Sequence, residues 1–271
     1  MIENRLKQIW AEGRPTINGW LSIGNSFTAE IMAAQGYDSI GVDLQHGAVD
    51  YQAALAMLQA MRASGVTPLV RVPWLEPGII MKALDAGAYG VICPMINTAE
   101  QAAEFVGCVR YPPLGVRSFG PTRVNFSAGA NYAAEANGEI LAFAMVETAE
   151  AMKNLEAIAA TPGLDGIYVG PADLTLSLSQ GRLSPAFDRE EPEMIEALQR
   201  IVAACKKSGI RAALHCGTPD YAARAVEWGF DMTTVSNDVR MLAGAAEASV
   251  KKFRALTGEA AVAAGRQKGG Y

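Results

Sequence analysis

The sequence is poor in the groups that most often announce a function. It has two histidines, His46 and His215, and four cysteines, Cys93, Cys108, Cys205 and Cys216, with no CxxC pair. That spacing fits neither a zinc ribbon nor a disulfide framework, so the thiols read as buried and reduced. No block of lysine or arginine interrupts a net charge of −5. This argues against nucleic acid as a partner, because phosphate neutralisation needs clustered cations. No apolar run approaches the roughly 20 residues that span a bilayer. The start, Met1-Ile2-Glu3-Asn4-Arg5, lacks the apolar core of a secretion signal. A cytoplasmic protein with no membrane partner is the expectation. Neither GxSxG nor a Walker-type loop occurs, and Ser22-Ile23-Gly24-Asn25-Ser26 after the first strand lacks GxGxxG. Serine-hydrolase, P-loop and dinucleotide-sheet readings therefore fall away. All eight lysines, from Lys7 to Lys268, lie in helix-like stretches or the tail. A Schiff-base enzyme needs one at a strand end, so imine and pyridoxal chemistry are disfavoured.

What is present is a regular alternation. Half of the 271 residues are hydrophobic, and the length is close to that of one (β/α)8 barrel, roughly 250 residues. Short β-rich runs are expected at Ile17–Ile23, Ser39–Leu44, Pro68–Val72, Gly90–Met95, Ile140–Glu147, Gly166–Gly170, Arg211–Cys216 and Met232–Ser236. Helical stretches with apolar residues at three- and four-residue spacing lie between them, including Tyr51–Ala63, Ala149–Ala160 and Val239–Leu256. Strands separated by helices pair in parallel through right-handed crossovers, and near-continuous apolar strands are buried on both faces. Eight such units with no composition break predict a single (β/α)8 TIM barrel over residues 1–257, with a tail at 258–271. The segment Tyr111–Gly138, rich in proline and glycine, fits no simple unit and reads as a functional loop or lid.

In such a barrel the chemistry sits at the carboxyl ends of the strands. Strand two ends Asp43-Leu44-Gln45-His46-Gly47, strand three ends Arg71-Val72, strand five ends Val146-Glu147-Thr148, and strand six runs into Gly170-Pro171-Ala172-Asp173-Leu174. Charged groups there are costly unless paired or ligated. Glu147 and Asp173 offer hard oxygen ligands suited to Mg²⁺, Mn²⁺ or a similar divalent ion, although each alone also reads as a helix cap or ion-pair partner. Histidine titrates near neutrality, so His46 is a candidate acid or base, with Asp43 three residues before it as a candidate orienting carboxylate. His215, inside strand seven, reads as structural. Arg71 is placed to hold a carboxylate or an oxyanion through its fork, or an internal ion pair with Asp43 or Glu147.

Together with Val70-Arg71-Val72-Pro73 and Tyr111-Pro112-Pro113-Leu114-Gly115-Val116-Arg117, these motifs resemble the HpcH/HpaI aldolase family over roughly residues 5 to 257. Its members are class II, metal-dependent pyruvate aldolases of the 4-hydroxy-2-oxoheptanedioate aldolase type. The resemblance implies reversible cleavage of a 4-hydroxy-2-oxo acid into pyruvate, or an analogue such as hydroxypyruvate, and an aldehyde. It implies Glu147 and Asp173 as ligands of Mg²⁺, Mn²⁺ or Co²⁺, and Arg71 at the 2-oxo oxygen of the enolate. His46, with Asp43, would carry protons. Backbone N–H groups near Gly170 and Ala172 would hold the carboxylate, and Trp20 would wall the pocket. It also implies a last helix packed on a neighbouring subunit, in a homohexamer. Met145 stands where many members carry glutamine, Gln45 where many carry glutamate, and Ser118 where glycine is common. A CoA-ester lyase of the citrate-lyase type and a non-catalytic small-molecule-binding barrel are the alternatives. The absence of an obvious basic surface for CoA phosphates weighs against the first. Several ionisable groups on one rim weigh against the second.

Overall fold

The computed structural model describes residues 1–257; the expected tail at 258–271 lies outside them. Eight strands, β1 (Thr16–Leu21), β2 (Ser39–Asp43), β3 (Thr67–Arg71), β4 (Gly90–Cys93), β5 (Leu141–Val146), β6 (Gly166–Val169), β7 (Arg211–Cys216) and β8 (Met232–Val235), pair in parallel and close on themselves in chain order. Around them run α1 (Arg5–Ala11), α2 (Ser26–Ala33), α3 (Tyr51–Ala60), α4 (Pro77–Asp85), α5 (Ala99–Val109), α6 (Val124–Ala128), α7 (Tyr132–Glu139), α8 (Ala149–Lys153), α9 (Leu155–Ala159), α10 (Pro171–Leu178), α11 (Pro192–Ser208), α12 (Pro219–Trp228) and α13 (Asp238–Leu256). This is the (β/α)8 barrel that the alternation predicts.

The strand residues divide by parity. One set packs outward against the helices, forming the larger core with Val42, Val70, Val91, Val146 and Val169. The other fills the barrel with Trp20, Leu69, Ile92, Phe143, Met145, Tyr168, Ala213 and Met232, and Leu6 and Trp10 of α1 join it. Successive side chains on a strand face opposite ways, so Trp20, Asp43, Arg71, Tyr168 and His215 share parity with this inner set. The charged rim is therefore the top layer of a filled core.

Some boundaries depart from the expected ones for local reasons. β4 ends at Cys93 because Pro94 has no N–H to continue the ladder, and Met95 then takes φ +57°. The stretch 149–160 breaks at Asn154, whose side chain donates to the carbonyl of Asn97 at 2.8 Å. The amino-terminal α1 has no counterpart among the expected helices; Asn4 accepts from the N–H of Leu6 as its cap.

The segment 111–138 is not a lid. It joins α5 to β5, so it lies at the amino-terminal ends of the strands, and it contains α6 and most of α7. Its motif is a packing device. Arg117 is buried, donates to Asp85 at 2.6 Å and to the Tyr132 hydroxyl at 2.9 Å, and stacks over the ring of Tyr111 at 4.4 Å. Gly115 lies against the carbonyl oxygens of Arg110 and Gly107, where a Cβ would not fit. The loop that does reach the carboxyl-terminal face lies between α10 and α11. Its Asp188 accepts from the N–H of Gly217 at 2.7 Å and from the Thr218 hydroxyl at 2.8 Å, pinning it to the turn after β7.

Candidate active site

Asp43 closes β2 and is the hub of one half of the mouth. Arg71 donates Nε and Nη2 to its two oxygens at 2.8 and 2.6 Å, and Trp20 Nε1 donates at 3.3 Å. The main-chain N–H groups of Gln45 and His46 donate to the same carboxylate at 3.0 and 3.2 Å. Burial alone would raise Asp43, but the Arg71 hydrogen bonds and charge, with those two N–H groups, outweigh it and hold the carboxyl below the usual range. Arg71 also lies over the Trp20 ring at 5.0 Å. The expected link between Asp43 and His46 is thus made through the main chain: the carboxylate shapes the turn that carries the exposed imidazole.

The other half is built from β5 and β6. Glu147 is buried, and its Oε1 accepts from the N–H of Met95 at 2.8 Å. The positive φ at Met95 turns that N–H back toward the site. Burial pushes the carboxyl up to about 7; the Met95 bond opposes the shift, the charge of Asp173 adds to it, and the charge of Arg71 opposes it. Glu147 Oε2 lies against Gly170, where a Cβ would collide with it. Neither acid caps a helix by its side chain: Thr148 caps α8, and Gly170 is the cap residue of α10, with Asp173 in the first turn. Pro171 fills the first helical position without an N–H, leaving the next main-chain groups, Ala172 first, at a dipole end that favours anions.

A buried carboxylate within electrostatic reach of a second, exposed one and of an arginine suits a hard divalent cation completed by water or substrate oxygens. Among the described residues no group of three or more His, Cys, Asp and Glu side chains is arranged to hold a metal. No described lysine lies at a strand end. The four cysteines are free and buried.

Three groups escaped the sequence reading. Tyr168, inside β6, bonds to His215, which was read as structural. Phe187, in the α10–α11 loop, stacks on the His215 ring at 4.8 Å, and Arg240 lies over Phe187 at 5.0 Å. The parity of strand six carried a signal for Tyr168, since it shares a face with Gly170; the loop carried none.

Comparison with known proteins identifies the family. The family model described as HpcH/HpaI aldolase/citrate lyase matches residues 17–245. The chain belongs to the HpcH/HpaI aldolase/citrate lyase family. A hydroxypyruvate/pyruvate aldolase from Rhizorhabdus wittichii is 38% identical over 253 residues, covering 93% of this chain and 100% of that protein. A 4-hydroxy-2-oxo-heptane-1,7-dioate aldolase from Escherichia coli is 33% identical over 257 residues, covering 94% and 96%. The crystal structure of an HpcH/HpaI family protein from Burkholderia cenocepacia superposes with a TM-score of 0.85 at 35% identity, covering 93% and 99%. The HpcH/HpaI chain described here is a lyase with the barrel of that family.

Proposed function

We propose that this chain is a divalent-metal-dependent aldolase that reversibly cleaves a 4-hydroxy-2-oxo acid into pyruvate or hydroxypyruvate and an aldehyde. The observation that carries the proposal is the convergence at one mouth of Glu147, buried and held by the Met95 N–H at 2.8 Å, Arg71, held by Asp43 at 2.8 and 2.6 Å, and Asp173 in the first turn of the helix that follows β6. Aldolase relatives matched along nearly their whole length support it. A Mg²⁺, Mn²⁺ or Co²⁺ ion held by Glu147 and Asp173 would supply Lewis-acid stabilisation to the substrate's carboxylate and 2-oxo oxygens.

The chain's own groups do the rest. The α10 N–H groups next to Gly170, beginning at Ala172, receive the substrate carboxylate. Arg71, whose Nε and Nη2 are held by Asp43, presents Nη1 to the 2-oxo oxygen, where negative charge grows as the C3–C4 bond breaks. Trp20 walls the pocket from beneath Arg71. His46, on the turn shaped by Asp43, takes the proton of the 4-hydroxyl through a water molecule. The C3–C4 electron pair becomes the enolate, the aldehyde leaves, and the enolate regains a proton at C3 from the same relay. Turnover of a free 4-hydroxy-2-oxo acid with no CoA present tests this reading against a CoA-ester lyase; a strict requirement for a CoA ester would overturn it.

A homo-oligomer completes the proposal. Of the residues of α13 only Asp238 is buried, and Leu242, Val250, Phe253 and Leu256 stand exposed on one face at helical spacing. A second copy of this chain is the occupant that a symmetric assembly supplies, with the hexamer of the family resemblance as the expected state. No helix among the described residues is long and apolar enough to cross a membrane, in keeping with the cytoplasmic setting we propose.

A further inference from the structure

A line of buried polar side chains crosses the barrel interior beneath the mouth. Ser39 Oγ donates to Asn18 Oδ1 at 2.8 Å, and Asn18 Nδ2 donates to Thr234 Oγ1 at 2.8 Å. The Thr234 and Tyr168 hydroxyls lie 2.6 Å apart, and Tyr168 Oη lies 3.1 Å from His215 Nδ1. All five residues are buried. Each hydroxyl owns one proton, so the line has a direction. Thr234 already accepts from Asn18. If Tyr168 also donated to Thr234, the threonine proton would have no acceptor in the line. Donation from Asn18 to Thr234, from Thr234 to Tyr168 and from Tyr168 to His215 gives the Thr234 and Tyr168 hydroxyls one bond made and one received each. His215 Nδ1 is then the acceptor, and the ring proton sits on Nε2.

That nitrogen is buried and has no hydrogen-bond partner among the described residues. A buried donor left unpaired costs on the order of 1–3 kcal/mol, so its retention on an inward position at the carboxyl end of β7 calls for an acceptor. The ring is edge-on to Trp20 at 5.0 Å, and Trp20 carries Arg71 and bonds Asp43. Phe187 covers the imidazole face. Burial, with the charge of Arg71, pushes the imidazole down to about 3, so near neutral pH the group is an uncharged donor and not an acid–base catalyst.

We propose that His215 Nε2–H is a specificity-determining donor to a hydroxyl oxygen of the substrate, oriented by the Ser39–Asn18–Thr234–Tyr168 line. The inference rests on the aldolase reading and adds a preference for hydroxylated substrates. The hydroxyl has two possible sources, C3 of hydroxypyruvate or the carbon next to the aldehyde carbonyl. Four pairings test it: pyruvate or hydroxypyruvate with acetaldehyde or glycolaldehyde. His215→Leu is expected to lower kcat/KM for the hydroxylated partner about tenfold relative to the plain one, the scale of one lost hydrogen bond. His215→Gln, which keeps an N–H donor, is expected to retain most of the preference. The arm that moves identifies the source. Unchanged ratios in both arms, in a folded His215→Leu protein, overturn the proposal. ¹⁵N spectra of the histidine-labelled protein give a second test that needs no variant at residue 215. With two histidines in the chain, the expected Nε2–H form of the buried ring is read directly, and an Nδ1–H or doubly protonated ring overturns the relay. A wild-type protein inactive in all four pairings would sink the aldolase reading instead, while the spectra still decide the tautomer.

Discussion

Arg71 stands where a single side chain meets three demands: it neutralises Asp43, packs on Trp20 and lies within electrostatic reach of Glu147. Lysine has the charge without the planar fork. Arg71→Lys should therefore lower kcat by about 100-fold or more, the scale of one lost oxyanion donor, and His46→Ala should slow cleavage while metal binding persists. Steady-state kinetics check both; a normal kcat with only a raised KM would show that Arg71 merely holds the substrate. Glu147 makes a pH prediction. Its carboxyl is raised on folding to about 7, so the metal-free fold gains from the bound proton. That contribution is full below the unfolded value of about 4.3 and is lost as pH climbs through 7. Metal binding needs the carboxylate, so metal affinity should rise from pH 5 to 8 while metal-free stability falls. Calorimetry of wild type and Glu147→Gln should show a smaller stability slope in the variant; equal slopes would contradict it. At this scale the sequence exposed the strand-end residues, because a charge closing an apolar run is visible in one dimension. It left open whether Asp43 or Glu147 pairs with Arg71, and it hid the bond from Met95 to Glu147, because both depend on strands brought together only by closure.

Elements that look alike in sequence lie on different faces of the barrel. A connection from a helix to the next strand lies at the amino-terminal end, so the Tyr111–Arg117 motif serves stability, however specific it is as a signature. Replacing Arg117 with Met should cost on the order of 2 kcal/mol, less than for a fully buried pair because Asp85 is 30% exposed. Chemical denaturation and kinetics together test this: a lowered midpoint with unchanged kcat is expected, and a selective loss of activity would restore a functional role. The α10–α11 loop, which carries Phe187 to His215, has no periodicity from which its contact could be read. The strand boundaries were legible to within a few residues, and the misses follow from single residues such as Pro94.

At the scale of the whole molecule, parity and closure account for the site. Inward positions of eight short strands fill the barrel between Leu6 and Trp10 of α1 at the base and Arg71 and Glu147 at the mouth. The fold class was legible because alternation of strand and helix repeats along the entire chain, whereas the proposed assembly rests on the apolar face that α13 leaves exposed. Changing Leu242 and Phe253 of α13 to Glu should break the oligomer, which sedimentation would register against the 28.7 kDa mass of one chain; a wild-type protein that sediments as a monomer would contradict that account. The central claim is the metal-dependent aldol reaction itself. Its most direct test is the rate of aldol addition of pyruvate or hydroxypyruvate to an aldehyde, measured before chelation, after exhaustive chelation and after return of Mg²⁺, Mn²⁺ or Co²⁺. The account predicts activity abolished by the chelator and restored by the ion, with Glu147→Gln inactive throughout. Full activity of Glu147→Gln after exhaustive chelation would contradict it.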